Sequence, residues 1–247
     1  MKCTHRWLAG ALTALLAIPP ATGVAQDSAP GAPLGTASAT IAQRAAVDSF
    51  LALVPRRASA LIEADAAAAR AAEREAMRRR TVADEARRRT RDSLDVQIRE
   101  LDRARDAIRI ANELEQDGRK QILEREARLR ERYRDLLSAR VEALGQELVA
   151  AEQKSRHARA MRERFAAEQQ LDADRREWER LHGEAAVVAE ADERRADQAE
   201  RLQQGLRRYF EARRDEEREA EKVAAAHQEL AVRRLRVLEL RRRLFDD

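Results

Sequence analysis

The chain of 247 residues is poor in aromatic residues, proline and cysteine, and each shortage excludes a class of structure. Aromatic residues make up only 3% of the sequence, although aromatic side chains dominate the burial energy of compact cores. The composition therefore argues against a large globular domain. No proline follows Pro55, so the rest of the chain lacks the residue that breaks helices most strongly.

The only cysteine, Cys3, lies in a segment that has the pattern of a secretory signal peptide. Met1–Ala25 combines a basic start at Lys2 and Arg6, an apolar run over residues 7–18 and small residues before a cleavage point. We therefore expect export to the periplasm or secretion, with an uncleaved anchor as the alternative. The exported chain would have no thiol, which excludes disulfides and thiolate catalysis.

Charged residues are abundant but nearly balanced in sign. The chain has 49 Lys and Arg against 45 Asp and Glu, a formal charge of +4. Loss of Lys2 and Arg6 with the signal peptide lowers this charge to about +2. A near-neutral chain has no general attraction for polyanions, so nucleic acid is not an expected partner.

The composition divides the mature chain into three parts. Residues 26–40 are rich in Ala, Pro, Gly and Ser and form a flexible linker. Residues 41–55 form a short apolar helix, which Pro55 ends because a residue before proline avoids the helical conformation. This helix docks either on a partner or on the long helix behind it, and we expect the second arrangement. Residues 56–247 form a long charged coiled-coil region.

Heptad spacing in residues 56–247 predicts an all-α fold of elongated coiled coil or long helices. The seven-residue spacing changes frame twice, giving a lattice from Leu94 to Leu136, a second from Leu137 to Ala158 and a third from Trp178 to Leu244. Acidic residues four positions before arginine stabilise such helices by roughly 0.3 kcal/mol per pair. The first lattice, with Glu115 as its polar exception, comprises Leu94, Leu101, Ile108, Ile122, Leu129 and Leu136.

Glycines mark the places where the helix is expected to fold back. One or two reversals are predicted near Gly118 or Gly183, with Asp117-Gly118 and His182-Gly183 as candidate turns. Against a turn at Gly118, Glu115 and Arg119 have the spacing of a helical ion pair.

Motifs for catalysis or cofactor binding are nearly lacking. Glu179 and His182 match the Glu-x-x-His pattern, which di-iron bundles use twice but which occurs here once. No glycine-rich phosphate loop is present. We therefore predict no enzyme activity, no cofactor, no metal and no small-molecule substrate.

Clustered arginines suggest an anion-binding patch, for which a solvated charged face is the alternative. In an exported protein the accessible anions would belong to the envelope surface. The candidate residues are Arg78, Arg79, Arg80, Arg87, Arg88 and Arg89.

The signal peptide and the heptads resemble those of exported bacterial coiled-coil proteins as a class. The chain lacks the strand-forming ends of Skp-like chaperones and the peptidase-like domain of murein-hydrolase activators. We predict a non-enzymatic scaffold, spacer or adaptor of the bacterial cell envelope, which forms homo-oligomers or binds other envelope proteins. The alternative is a periplasmic holdase-type chaperone or a coiled-coil regulator of cell-wall enzymes.

Overall fold

The computed structural model describes residue 45, residues 47–183 and residues 189–245. This part of the chain is helical and contains no strand, which confirms the predicted all-α fold. The signal peptide and the linker 26–40 lie outside the described residues. The helices are α1 (residues 47–51), α2 (Ser59–Glu113), α3 (Asp117–Gly183) and α4 (Ala189–Phe245).

The first reversal lies close to Gly118, as predicted, but its turn is formed by Leu114–Gln116. Glu115 has a φ of 52°, in the left-handed region. The amide of Gln116 donates to the carbonyl of Ala111 at 2.9 Å, and the amide of Glu115 donates to Asn112 at 3.2 Å. These two bonds form a Schellman motif, which satisfies the last carbonyls of α2.

Gly118 itself lies in the first turn of α3, so the prediction of a turn at Asp117-Gly118 is wrong. Asp117 begins α3, where its negative charge suits the positive end of the helix dipole. Glu115 and Arg119 do not share a helix, because Glu115 lies in the turn. The hydrogen bonds of the Schellman motif stabilise a left-handed glutamate where the sequence pattern favoured glycine.

The second reversal falls where Gly183 predicted it. α3 ends at Gly183 and α4 begins at Ala189. The side-chain amide of Gln198 on α4 donates to the carbonyl of Asp174 on α3 at 2.8 Å. Residues 184–188, which join the two helices, are outside the described residues.

Contacts divide the structure into two compact units. Unit 1 contains the described residues up to Ala69 together with Ala160–Glu217. Unit 2 contains Arg70–Arg159 and the described residues from Arg218 onward. Each unit has its own buried side chains.

The core of unit 1 includes α1. Val47, Leu51 and Val54 are buried, which is the docked arrangement expected for the short apolar segment. Both α3 and α4 supply its neighbours, and four of the seven described aromatic side chains lie there when the partly buried Phe50 is included. The neighbours in this cluster are Leu171, Trp178, Ala199, Leu202, Leu206, Tyr209 and Phe210.

A second cluster in unit 1 holds α2 against α3. Ile62 and Phe165 are almost fully buried, and the guanidinium of Arg164 lies 4.2 Å from the centre of the Phe165 ring. Glu168 is 4% exposed and pairs with Arg57 at 3.4 Å and with Arg164 at 3.5 Å. A buried carboxylate is tolerated here because cations compensate its lost hydration.

In unit 2, α2 and α3 pack antiparallel. Arg105 pairs with Glu131 at 2.9 Å, whereas Glu73, earlier in α2, pairs with Arg159, later in α3. The second heptad lattice is confirmed as a packing face, with Leu137 and Ala158 among its buried members. Small alanine side chains allow the helices to approach closely in place of a large aromatic core.

The first heptad lattice fails across the reversal. Leu101 is buried and Ile108 is partly buried against Ala127. Ile122 and Leu129, which follow the turn, are exposed. A continuous lattice assumes one continuous helix, and the Leu114–Gln116 turn interrupts it.

Candidate functional surfaces

The six arginines of the predicted anion-binding patch all lie on α2 in unit 2, and all are exposed. Three of them pair with acidic residues one turn earlier. The pairs are Arg79–Glu75 at 2.8 Å, Arg88–Asp84 at 2.8 Å and Arg89–Glu85 at 3.7 Å. These pairs lower the positive potential that α2 presents to an anion.

Helical geometry also separates the six arginines, because successive residues are rotated by about 100° around the axis. Arg78 and Arg89 are eleven residues apart and share one face. Arg80 and Arg87 are seven residues apart and lie on nearly the opposite side of α2. The Arg87 side chain lies across Gly145 of α3, about 3.6 Å from where a Cβ would be. A flat anionic surface therefore meets one of these pairs and not both.

A cleft of about 410 Å³ lies beside α1 in unit 1, and its polar groups hold α1 in place. The guanidinium of Arg175 is buried and donates to the carbonyls of Leu51 at 2.6 Å and Val54 at 3.3 Å. The indole nitrogen of Trp178 donates to Asp48 at 3.2 Å. The arrangement caps the C-terminal end of α1 and orients it on α3.

Sequence reasoning missed the role of Arg175. The available signal was its spacing, since it lies four residues after Leu171 and three before Trp178, both of which are buried. An arginine at such a position must bury its charge, and backbone carbonyls are the acceptors that make this possible.

In the described ranges, no group of three or more His, Cys, Asp or Glu side chains is placed to hold a metal ion. The Glu179 side chain instead pairs with Arg56 at 3.1 Å. The side chain of His182 lies outside the described residues. None of the described helices has the length and hydropathy required to cross a bilayer.

One apolar seam on α3 is covered by α4 along part of its length. In unit 2, Ala150 packs against Ala226 and Leu230 of α4, and Glu147 pairs with Arg234 at 3.3 Å. Ala150 and Glu147 lie three residues apart on α3, and both belong to a heptad lattice with alternating steps of three and four residues. Ala143, which is buried, belongs to the same lattice.

The same seam continues towards the start of α3, where its side chains are exposed. Counting back from Ala143 in steps of three and four passes the charged positions Arg140 and Glu126 and reaches the apolar residues Leu136, Tyr133, Leu129 and Ile122. Tyr133, Leu129 and Ile122 are 40%, 53% and 67% exposed. We call these three residues the uncovered α3 seam.

Among the histidines that the structure describes, His227 of α4 has a lowered pKa. Partial burial lowers its pKa, and the nearby charges of Lys154 and Arg234 lower it further. Both effects follow from the position of the imidazole on α4, where it is partly buried and lies near two cations.

Comparisons of the chain with protein-family models, with curated proteins and with solved structures gave no match in any of the three.

Proposed function

We propose that the chain is a non-enzymatic, exported scaffold or adaptor of the bacterial cell envelope. It binds a helical segment of another envelope protein on the uncovered α3 seam. The observation that carries this proposal is the continuation of a packed heptad seam into three exposed apolar side chains, Ile122, Leu129 and Tyr133.

The covered part of the seam indicates the chemistry of the partner. There α4 contributes small and apolar side chains, Ala226 and Leu230, at four-residue spacing. A partner helix that continues this packing needs apolar residues at heptad positions to bury Ile122 and Leu129. Burial of a full apolar side chain contributes about 1.5–3 kcal/mol, so half-exposed side chains contribute on the order of 1 kcal/mol each.

Export supports the envelope as the place of action. The N-terminal pattern of Met1–Ala25 predicts a signal peptide, and that segment lies outside the described residues. The test of this part is the N-terminal sequence of protein recovered from the periplasm or medium, which should begin at Gln26.

A holdase-type chaperone would need exposed apolar side chains to hold an unfolded client, and the short apolar segment is one part of the chain that could supply them. Val47, Leu51 and Val54 would have supplied apolar contacts to an unfolded client, but they are buried within unit 1. A scaffold that binds a folded helix requires only a seam of defined spacing, which α3 provides.

Capture of envelope proteins by the immobilised full chain tests the proposal. Ile122→Asp places a charge on the uncovered α3 seam, where burial of an unpaired charge opposes binding. Val82→Asp is the matched control, because Val82 on α2 is also 67% exposed and lies outside this seam. We expect the native chain and Val82→Asp to capture the same protein, and Ile122→Asp to lose it. Equal capture by all three chains, or by none, would overturn the proposal.

A further inference from the structure

The part of α4 in unit 2 carries a second apolar face whose large side chains are mostly exposed. Ala226 and Leu230 are buried against α3. Val232, Leu235, Leu238 and Phe245 are instead 62%, 60%, 57% and 75% exposed. Large exposed apolar side chains at close spacing on one helix are characteristic of an interaction site.

These side chains follow a heptad lattice of their own. Alternating steps of four and three connect Ala224, Gln228, Ala231, Leu235, Leu238, Arg242 and Phe245. Val232 borders this lattice. Sustained four-three spacing is the pattern of a helix that packs against another helix as a coiled coil. We call this set the outer α4 seam.

The outer α4 seam covers 22 residues, or about 33 Å of helix at 1.5 Å per residue. It is separate from the uncovered α3 seam, because its residues lie on a different helix.

We propose that the outer α4 seam binds the same seam of a second copy of this chain, with the two α4 helices parallel and in register. In this arrangement Leu235, Leu238 and Phe245 each pack against their own counterpart. Three apolar layers are thereby removed from water, with the Arg242 layer between the second and the third. The symmetry of the pair makes the interface self-complementary.

Charge complementarity favours a second copy in the parallel orientation. The residues that flank a parallel two-helix seam pair with residues five positions further along the partner helix. Arg234, which pairs with Glu147 of its own chain but stays 58% exposed, therefore lies beside Glu239 of the other copy. The pair occurs twice by symmetry. In an antiparallel pair centred on Leu235, the two Arg234 side chains would face each other instead. Like charges in contact destabilise such a pair.

Arg242 fixes the register of the dimer. It occupies the seam one turn before Phe245, so the parallel arrangement opposes it to its counterpart near the end of the interface. A polar residue in a coiled-coil seam lowers stability and specifies alignment. Removing this charge should therefore strengthen the dimer.

Sedimentation of the full chain, with Cys3→Ser to prevent adventitious disulfides, tests the dimer. We expect the Cys3→Ser chain to dimerise and Leu235→Asp/Leu238→Asp to raise the dissociation constant at least about tenfold, equivalent to 1.4 kcal/mol. Helicity should not change, because both leucines are already exposed in the single chain. Val82→Asp, with its similar exposure, should dimerise like the Cys3→Ser chain. Arg242→Leu should lower the dissociation constant.

Disulfide crosslinking tests the orientation. Leu238→Cys in the Cys3→Ser chain should form a disulfide between copies, because equivalent seam positions adjoin in the parallel pair. A monomeric Cys3→Ser chain at high micromolar concentration would overturn the proposal. So would a dimer unaffected by the aspartates, or one whose copies crosslink only between different seam positions.

Different variants test the proposed adaptor function and the proposed dimer, so either proposal can be overturned without the other. Ile122→Asp should abolish capture of the envelope partner and leave the dimer intact. If Leu235→Asp/Leu238→Asp abolishes capture from a chain that sediments as a monomer, the outer α4 seam binds a different protein and the dimer proposal is wrong.

Discussion

The guanidinium of Arg175 donates a hydrogen bond of 2.6 Å to the backbone carbonyl of Leu51, 124 residues earlier in the chain. A second bond reaches the carbonyl of Val54 at 3.3 Å. The last carbonyls of a helix lack partners within the helix, and a side-chain donor can satisfy them. Arg175 thus binds the end of α1 to α3 in unit 1.

Arg175→Met should lower the free energy of unfolding by about 2–3 kcal/mol, because hydrogen bonds from a charged donor to buried carbonyls are lost. Urea denaturation measures the change. Arg156→Met is the matched control, since Arg156 of α3 and its ion-pair partner Glu152 are 55% and 41% exposed. The loss of an exposed ion pair costs at most about 1 kcal/mol. Equal losses in the two variants would contradict the capping role.

Two substitutions at the first reversal test where the turn lies. Glu115→Gly should stabilise the protein by about 1 kcal/mol, because a left-handed conformation costs a residue with a side chain roughly that much. Gly118→Ala should also stabilise it, by up to about 1 kcal/mol, because alanine is the better helix former. A Cβ at residue 118 would meet no atom within 4 Å. Destabilisation by Gly118→Ala would place the turn at the glycine after all.

Paired substitutions on α2 test the predicted anion-binding patch. Arg78→Gln/Arg89→Gln removes charge from one face, and Arg80→Gln/Arg87→Gln removes it from the nearly opposite face. If α2 binds acidic lipid vesicles, one double variant should weaken binding much more than the other. Binding should also fall steeply with salt, because exposed charges are screened beyond about 8 Å at physiological ionic strength. Equal, salt-independent binding by both variants would leave a solvated charged face as the explanation.

The lowered pKa of His227 predicts a dependence of stability on pH. Because its pKa in the folded state lies below the ordinary value of about 6.5, the unfolded chain binds a proton first as the pH falls. The contribution of His227 to stability is therefore present above that value and is lost as the pH falls below it. His227→Gln should reduce the decline in the urea midpoint between about pH 8 and pH 5.5. An unchanged decline would contradict this interpretation.

The helical fold was predictable because local signals agree along the chain. Lack of proline after Pro55 and the abundance of strong helix formers leave little alternative to long helices. The reversals near Gly118 and Gly183 were also predictable to within a few residues. Docking of α1 followed from its apolar side chains, such as Val47 and Leu51, which needed a surface to bury them.

The remaining features depend on contacts between distant residues. The left-handed conformation of Glu115 depends on hydrogen bonds to Ala111 and Asn112, which a glycine-based prediction does not consider. The uncovered α3 seam could not be found from heptads alone, because spacing does not show where α4 covers α3. The predicted arginine patch treated neighbours in sequence as neighbours in space, whereas a helix distributes them around its axis.

Photo-crosslinking in living cells tests the proposed adaptor function most directly. A photoreactive phenylalanine analogue is placed at Leu129 in the uncovered α3 seam, or at Leu61 as a control that is similarly exposed in unit 1. We predict that the protein with the analogue at Leu129 crosslinks to one other envelope protein, and that the protein with the analogue at Leu61 does not. Crosslinks to no protein, or the same crosslinks from both positions, would contradict the proposal that the exposed end of the α3 seam binds a partner.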